Sequence, residues 1–157
     1  MRRSERQVSD PSQIQAILSQ CKVLRLAMID GARPYVVPLN YGYQMQGDCA
    51  TFYFHCARQG RKLDLLRRNP NVCVELDCGH KLTSGGDVAC RYGYCYQCVI
   101  AEGTAMELTD PVQKIEALEI LMRCQTERDF TITEAQAETV SVWRIDVTQL
   151  SAKAKYE

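Results

Sequence analysis

The chain has 157 residues, 46% apolar and 24% charged, with 19 Lys plus Arg balanced by 19 Asp plus Glu. That length suits one domain spanning residues 1–157 with a real core, and the composition excludes disorder, collagen and fibrous repeats. A formal net charge of zero removes the broad field that would draw the molecule to nucleic acid or an anionic membrane.

The nine cysteines are numerous but odd in number, and the opening MRRSERQVSD lacks the apolar stretch of a secretory signal, so a reduced, cytoplasmic protein is expected. Arg25, Asp30 and Glu102 break the longest apolar runs well short of the roughly 20 residues that span a bilayer, which argues against membrane insertion.

In chain order, residues 1–9 carry Arg2, Arg3 and Arg6 and read as an N-terminal arm. Asp10-Pro11-Ser12-Gln13 supplies an N-cap, a proline at the first helical position and a glutamine that reaches back, so a helix starts here with Ile14, Ile17, Leu18 and Cys21 along one stripe. From Val23 the pattern changes to a strand, VLRLAMI, closed by the hairpin dipeptide Asp30-Gly31. Pro34 to Tyr43 returns as a strand whose two prolines cannot donate to a ladder, placing it at an edge or interrupting it. A turn at Gly47-Asp48 and the strand ATFYFHC follow.

Gly60-Arg61-Lys62 opens a short helix with Leu63, Leu65 and Leu66 inward, ended by Asn69-Pro70. Asn71 to Asp77 alternates as a strand, Cys78 to Arg91 reads as a loop, and Tyr92 to Leu108 reads as one long strand bent by a bulge at Glu102-Gly103. Asp110-Pro111 starts a second long helix carrying Ile115, Leu118, Leu121 and Met122 on one side. A loop with a short turn near Thr133 to Glu138 leads to a last strand, TVSVWRIDV, with Val140, Val142 and Arg144 on one face. Six or seven strands joined mostly by hairpins favour an antiparallel sheet, which avoids exposed edges by closing into a barrel with peripheral helices.

Three places carry chemistry. In HCARQGRK a strand-end histidine, a glycine and two cations meet at a helix N-terminus, the makings of an anion cradle; a solvated Arg61-Lys62 pair is the plainer reading, although cations there oppose the helix dipole. Cys78, His80, Cys90, Cys95 and Cys98 offer metal-ligand types, but residues three apart in the strand YCYQCVI point to opposite faces, and free cysteines serve as small core residues. Pro34 to Tyr41 joins aromatic faces to an amide, which suits a planar ring system and equally suits ordinary cross-strand packing. No serine-nucleophile elbow, phosphate-binding glycine loop, dinucleotide fingerprint or paired carboxylates are present.

The segments PYVVPLNYGY, TFYFHCARQGRKLDLLRRNPNVCVEL, ACRYGYCYQCVIAEGTA and PVQKIEALEILM, in that order, resemble the nitroimidazole-resistance (Nim) family of the pyridoxamine 5′-phosphate oxidase-like, FMN-binding split-barrel superfamily. The resemblance runs from about Arg3 to the end. It implies a mainly β (α+β) fold, an antiparallel six-stranded split barrel with peripheral helices, working as a homodimer with FMN at the subunit interface. It assigns Arg61 and Lys62 to the flavin phosphate, Pro38, Leu39 and Asn40 to the strand along the ring, and Phe54, His55, Cys56 and Ala57 to the strand end beside the ribityl chain and phosphate. His55 matches a histidine near flavin and substrate. Two positions depart from the pattern: Cys98 stands where relatives commonly carry serine, and a thiol is a poorer donor; Cys56 stands where relatives often carry another small residue.

The implied activity is FMN-dependent oxidoreduction of nitroreductase type, with electrons from a nicotinamide dinucleotide (NADH or NADPH) or a protein donor passing to a small oxidised substrate, for instance a nitroaromatic. His55 would be the proton donor. The alternatives are a non-catalytic flavin- or haem-binding split-barrel protein, a pyridoxamine 5′-phosphate oxidase-type enzyme, and a metal-binding protein built on the Cys/His set.

Overall fold

Alternation along the strands decides which side of the sheet becomes core, and the computed structural model, which describes residues 3–47 and 49–156, shows it directly. In Leu24–Asp30 (β2) Leu24, Leu26 and Met28 are buried while Arg25 points out; in Cys49–Cys56 (β5) Ala50, Phe52 and Phe54 are buried and His55 points out. The remaining strands are Gln7–Val8 (β1), Arg33–Leu39 (β3), Gly42–Gln46 (β4), Asn71–Thr83 (β6), Gly93–Leu108 (β7) and Ser141–Lys155 (β8). All pair antiparallel in the order β3-β2-β6-β7-β8-β5-β4, with β1 added on β8.

The ladder does not close. Its path ends at β3 and β4, which follow one another in the chain through Asn40 and Tyr41. The mainly β, antiparallel split-barrel class with peripheral helices therefore holds. Eight strands replace the expected six because the two-residue β1 joins the sheet and Pro34 to Tyr43 is cut into two. The cut has a cause: Tyr41 turns inward, 1% exposed, and its hydroxyl donates to the Leu18 carbonyl at 2.6 Å. Pro34 and Pro38 sit on β3, a terminal strand, where their missing N–H groups cost no ladder bond on the open side.

The helices begin where their caps place them. Asp10 and Asp110 each accept a main-chain N–H and each precede a proline, starting Pro11–Gln20 (α1) and Pro111–Thr126 (α3). Arg61–Arg68 (α2) buries Leu63, Leu65 and Leu66, and the four-residue Glu134–Ala137 (α4) is fixed by a capping box between Thr133 and Gln136. No helix among the described residues is long and apolar enough to cross a membrane.

Two expected boundaries move. The segment from Cys78 was expected as loop to Arg91, yet β6 continues to Thr83 because β7 offers it a partner as far as Gly93, the register slipping between Cys78 and Lys81. The last strand runs past Val147 to Lys155, held on β7 from Leu108 back to Tyr96. The expected bulge at Glu102-Gly103 is present. The expected arm is ordered from Arg3 onward as a single 3-10 turn and β1; Arg2 lies outside the described residues, as does Asp48 of the expected Gly47-Asp48 turn.

Candidate functional site

The site is built where β5 ends and α2 begins. Gly60 caps α2 with φ 135° and ψ 161°, and no side chain meets the first turn. Its carbonyl accepts from Leu63 N at 2.9 Å and Asp64 N at 3.3 Å, so the helix is wound while its first amides, at Arg61 and Lys62, face outward. A glycine cap with no side-chain acceptor leaves those amides available to an anion.

Structure separates the two cations that the sequence places side by side. Arg61 turns toward the β2–β3 hairpin, donating to Asp30 Oδ2 from Nε at 3.1 Å and from Nη2 at 2.6 Å, with its guanidinium 4.2 Å from the Tyr35 ring centroid. Arg68 approaches the same carboxylate at 3.7 Å. Lys62 turns the other way: its Nζ lies 5.6 Å from the Phe54 ring centroid, beside His55 and Cys56. Among the described residues no carboxylate pairs with Lys62, so its charge is left to attract an anion at this spot.

Phe54 is fully buried and stacks on Trp143, centroids 6.3 Å apart with planes 8° from parallel. It supports the site from beneath. His55 points outward, its pKa lowered first by desolvation and then by the Lys62 charge, which favours the neutral imidazole at neutral pH. Burial pushes the Cys56 thiol up, with Lys62 partly opposing it, so Cys56 is a thiol and not a thiolate nucleophile. Ala57 is exposed. His55 also lines an apolar cavity of about 330 Å³ with Leu118, Leu121, Met122, Phe130 and Ile132, between α3 and the segment preceding α4.

Pro38, Leu39 and Asn40 end β3. Pro38 is exposed opposite Arg25, Leu39 packs partly on the core, and the Asn40 amide donates at 3.4 Å to the Lys22 carbonyl and to Gln125 Oε1. Among the described residues no hydrogen bond joins these three to the Phe54–Lys62 segment. The cysteine set does not gather. His80 Nε2 meets Asp77 Oδ2 at 2.8 Å, Cys95 is buried while Cys98 lies on the opposite face, and no group of three or more His, Cys, Asp or Glu among the described residues is placed to hold a metal.

The sequence and fold are similar to those of known proteins. Residues 10–154 match the model of the pyridoxamine 5′-phosphate oxidase family. The chain belongs to that family. The structure of a candidate 5-nitroimidazole antibiotic resistance protein from Bacteroides thetaiotaomicron is similar at 31% identity and a TM-score of 0.81, over 94% of this chain and 86% of that one. An FAD-binding protein from Mesorhizobium loti shares 25% identity with a TM-score of 0.66, over 96% of this chain and 98% of that one. A flavocytochrome from Azotobacter vinelandii has the same fold at 19% identity, TM-score 0.79, over 100% of this chain and 72% of that one. No curated protein matches the chain. The expected likeness to the nitroimidazole-resistance proteins is thus borne out.

In this member of the pyridoxamine 5′-phosphate oxidase family, sequence reasoning missed Asp30 and Tyr35 as partners of Arg61, and the tie that holds α2 in place. Trp143 Nε1 donates to Ser141 Oγ at 2.8 Å, Ser141 donates to Glu107 Oε1 at 2.6 Å, and Glu107 accepts three bonds from Arg67, one from Nε at 3.2 Å and two from Nη2 at 3.0 and 3.2 Å. Only sheet order brings residues 67, 107 and 141 together, and no local pattern reports it.

Proposed function

We propose that the chain binds FMN at the β5–α2 junction, as a homodimer with the flavin at the subunit interface, and reduces a small oxidised substrate of nitroaromatic type at the expense of NADH or NADPH. One observation carries the reading: the glycine-capped start of α2 presents amides with no side-chain cap and an ammonium with no carboxylate partner among the described residues, beside a histidine and an apolar cavity. That donor set fits a phosphate monoester, and family membership together with relatives described as FAD-binding or tied to nitroimidazole resistance supports a flavin as its owner. A bound flavin supplies the two-electron chemistry that amino-acid side chains lack.

The chain's own groups do the rest. Lys62 and the α2 amides neutralise the phosphate, and Arg61, its Nε and Nη2 held by Asp30, adds its remaining edge. Pro38, Leu39 and Asn40 line the ring, while Phe54 fixes Lys62 from below and Cys56 and Ala57 keep the strand end narrow. His55 faces the apolar cavity that would take the organic part of the substrate. Its lowered pKa makes it a hydrogen-bond partner at neutral pH and a proton donor in an increasing fraction as pH falls. The test is anaerobic: NADPH added to FMN-loaded protein should bleach the flavin absorbance, and a nitroimidazole should restore it. Flavin that stays oxidised under excess NADH and NADPH, or that is not reoxidised, would overturn the enzymatic reading.

A further inference from the structure

Under α3 the outer face of the sheet holds a second cavity, of about 430 Å³, on the other flank of the helix from the His55 cavity. Leu118, Leu121 and Met122 line the His55 side, whereas Glu116, Ile120 and Arg123 line the side of Tyr53 and Arg144. Register builds the sheet wall of this cavity: Tyr53 on β5 pairs with Arg144 on β8, and Gln44 on β4 lies two residues from Gly42, the other partner of Tyr53. The alternation that buries Phe52, Phe54, Trp143 and Ile145 turns Tyr53 and Arg144 outward beneath the helix. None of the residues assigned to the flavin lines it.

Arg144 supplies the observation that points to a ligand. Its Nη2 donates to Asp146 Oδ2 at 2.9 Å, but its Nε is shielded from solvent and meets no acceptor, the one buried side-chain nitrogen or oxygen so placed among the described residues. A guanidinium keeps its charge at any ordinary pH, so a desolvated N–H without an acceptor is costly unless a bound group meets it. The other charges of the lining are divided. Arg123 is taken by Asp129 at 2.6 Å, and Glu119 Oε1 accepts from Ile132 N at 3.2 Å. Glu116, exposed on α3, has no hydrogen-bond or ion-pair partner among the described residues. Burial raises the Tyr53 pKa, Arg144 opposes the rise, and Asp146 and Glu116 add to it, so the guanidinium and the Glu116 carboxylate both lie near this phenol. The Tyr53 hydroxyl donates to Gln44 Oε1 at 2.9 Å, which leaves the Gln44 amide N–H groups as further donors. Leu108 and Ala117 are buried and, with Ile120, give the cavity an apolar wall. One unmet cationic donor, one unpaired carboxylate and an apolar wall around a space of small-molecule size match a zwitterion with an apolar side chain.

We propose that this cavity binds an α-amino acid with an aliphatic side chain: its carboxylate on Arg144 Nε and the Gln44 amide, its ammonium on Glu116, and its side chain against Leu108, Ala117 and Ile120. The assignment is independent of the flavin reading.

Isothermal titration with L-leucine, on the protein before and after FMN addition, tests this, with 4-methylpentanoate as the probe lacking the ammonium and L-leucinamide as the probe lacking the carboxylate. One leucine per chain is expected, with the same affinity in both preparations, and each analogue should bind about tenfold or more weaker, as loss of a charge-assisted contact implies. Arg144→Met, which keeps the stem and removes the guanidinium, should weaken leucine by a similar factor. Glu116→Gln, at an exposed position where folding is not at stake, should weaken leucine while leaving 4-methylpentanoate unchanged. The proposal is overturned if leucine does not bind, which leaves Arg144 Nε to water, if either analogue binds as tightly as leucine, or if both variants bind leucine normally. It is also overturned if FMN addition abolishes binding, which places the flavin or a partner chain over the cavity. Running the titration without FMN separates its failure from failure of the flavin reading.

Discussion

Lys62 sets the electrostatics of the β5–α2 junction because its ammonium is at once near the Phe54 ring, the His55 imidazole and the Cys56 thiol. Replacing it with methionine keeps the apolar stem over Phe54 and deletes the charge. FMN affinity should then fall by about tenfold or more, the weight of a charge-assisted phosphate contact. The His55 pKa, followed by NMR, should rise yet remain below its ordinary 6.5, since desolvation is the larger cause of its depression and survives the change. At this scale the sequence was informative for a physical reason: glycine followed by two cations at a helix start is unfavourable unless an anion is bound, so Gly60, Arg61 and Lys62 advertise themselves. Asp30 did not, because nothing local says which hairpin will face a helix thirty residues later.

Each element is held by a few contacts that reach across the sheet. Ser141 is the hinge of the chain from Trp143 to Glu107 to Arg67, which ties β8 and β7 to α2. Ser141→Ala leaves the buried indole N–H without an acceptor and should cost about 1–3 kcal/mol in urea unfolding. Burial works to raise the Glu107 pKa, but the bonds from Ser141 and Arg67 win and hold it below the usual carboxylate range. A carboxyl depressed in the folded state contributes stability above its unfolded pKa and loses it as pH falls through the folded value. Acid unfolding of Ser141→Ala should therefore be shallower over that range, since one source of the depression is gone. Gly42 marks the closest approach of helix to sheet: a Cβ there would lie 2.5 Å from Leu121 Cα. Gly42→Ala must push α3 from β4 and should cost about 3 kcal/mol, or disrupt folding. The three longer helices were legible from caps and prolines, and the bulge from Glu102-Gly103. The outer half of β6 was not, because Gly79, His80 and Lys81 carry no alternation and become strand only through β7.

For the molecule as a whole, hairpin succession in the sequence indicated an antiparallel sheet, and the open path between β3 and β4 completes the split-barrel picture. The groove between chains that the flavin reading invokes has no trace in one chain's local pattern; Pro38 to Asn40 and the Phe54–Lys62 segment were joined only by resemblance, and among the described residues no hydrogen bond joins them. On the proposed reading the glycine-capped, cationic start of α2 is a flavin phosphate site. It is tested most directly by titrating the purified chain with FMN while recording absorbance, alongside Lys62→Met. A saturable spectral shift at one flavin per chain, weakened about tenfold or more in the variant, is the predicted result. Absence of saturable binding, or equal binding by both proteins, would contradict it.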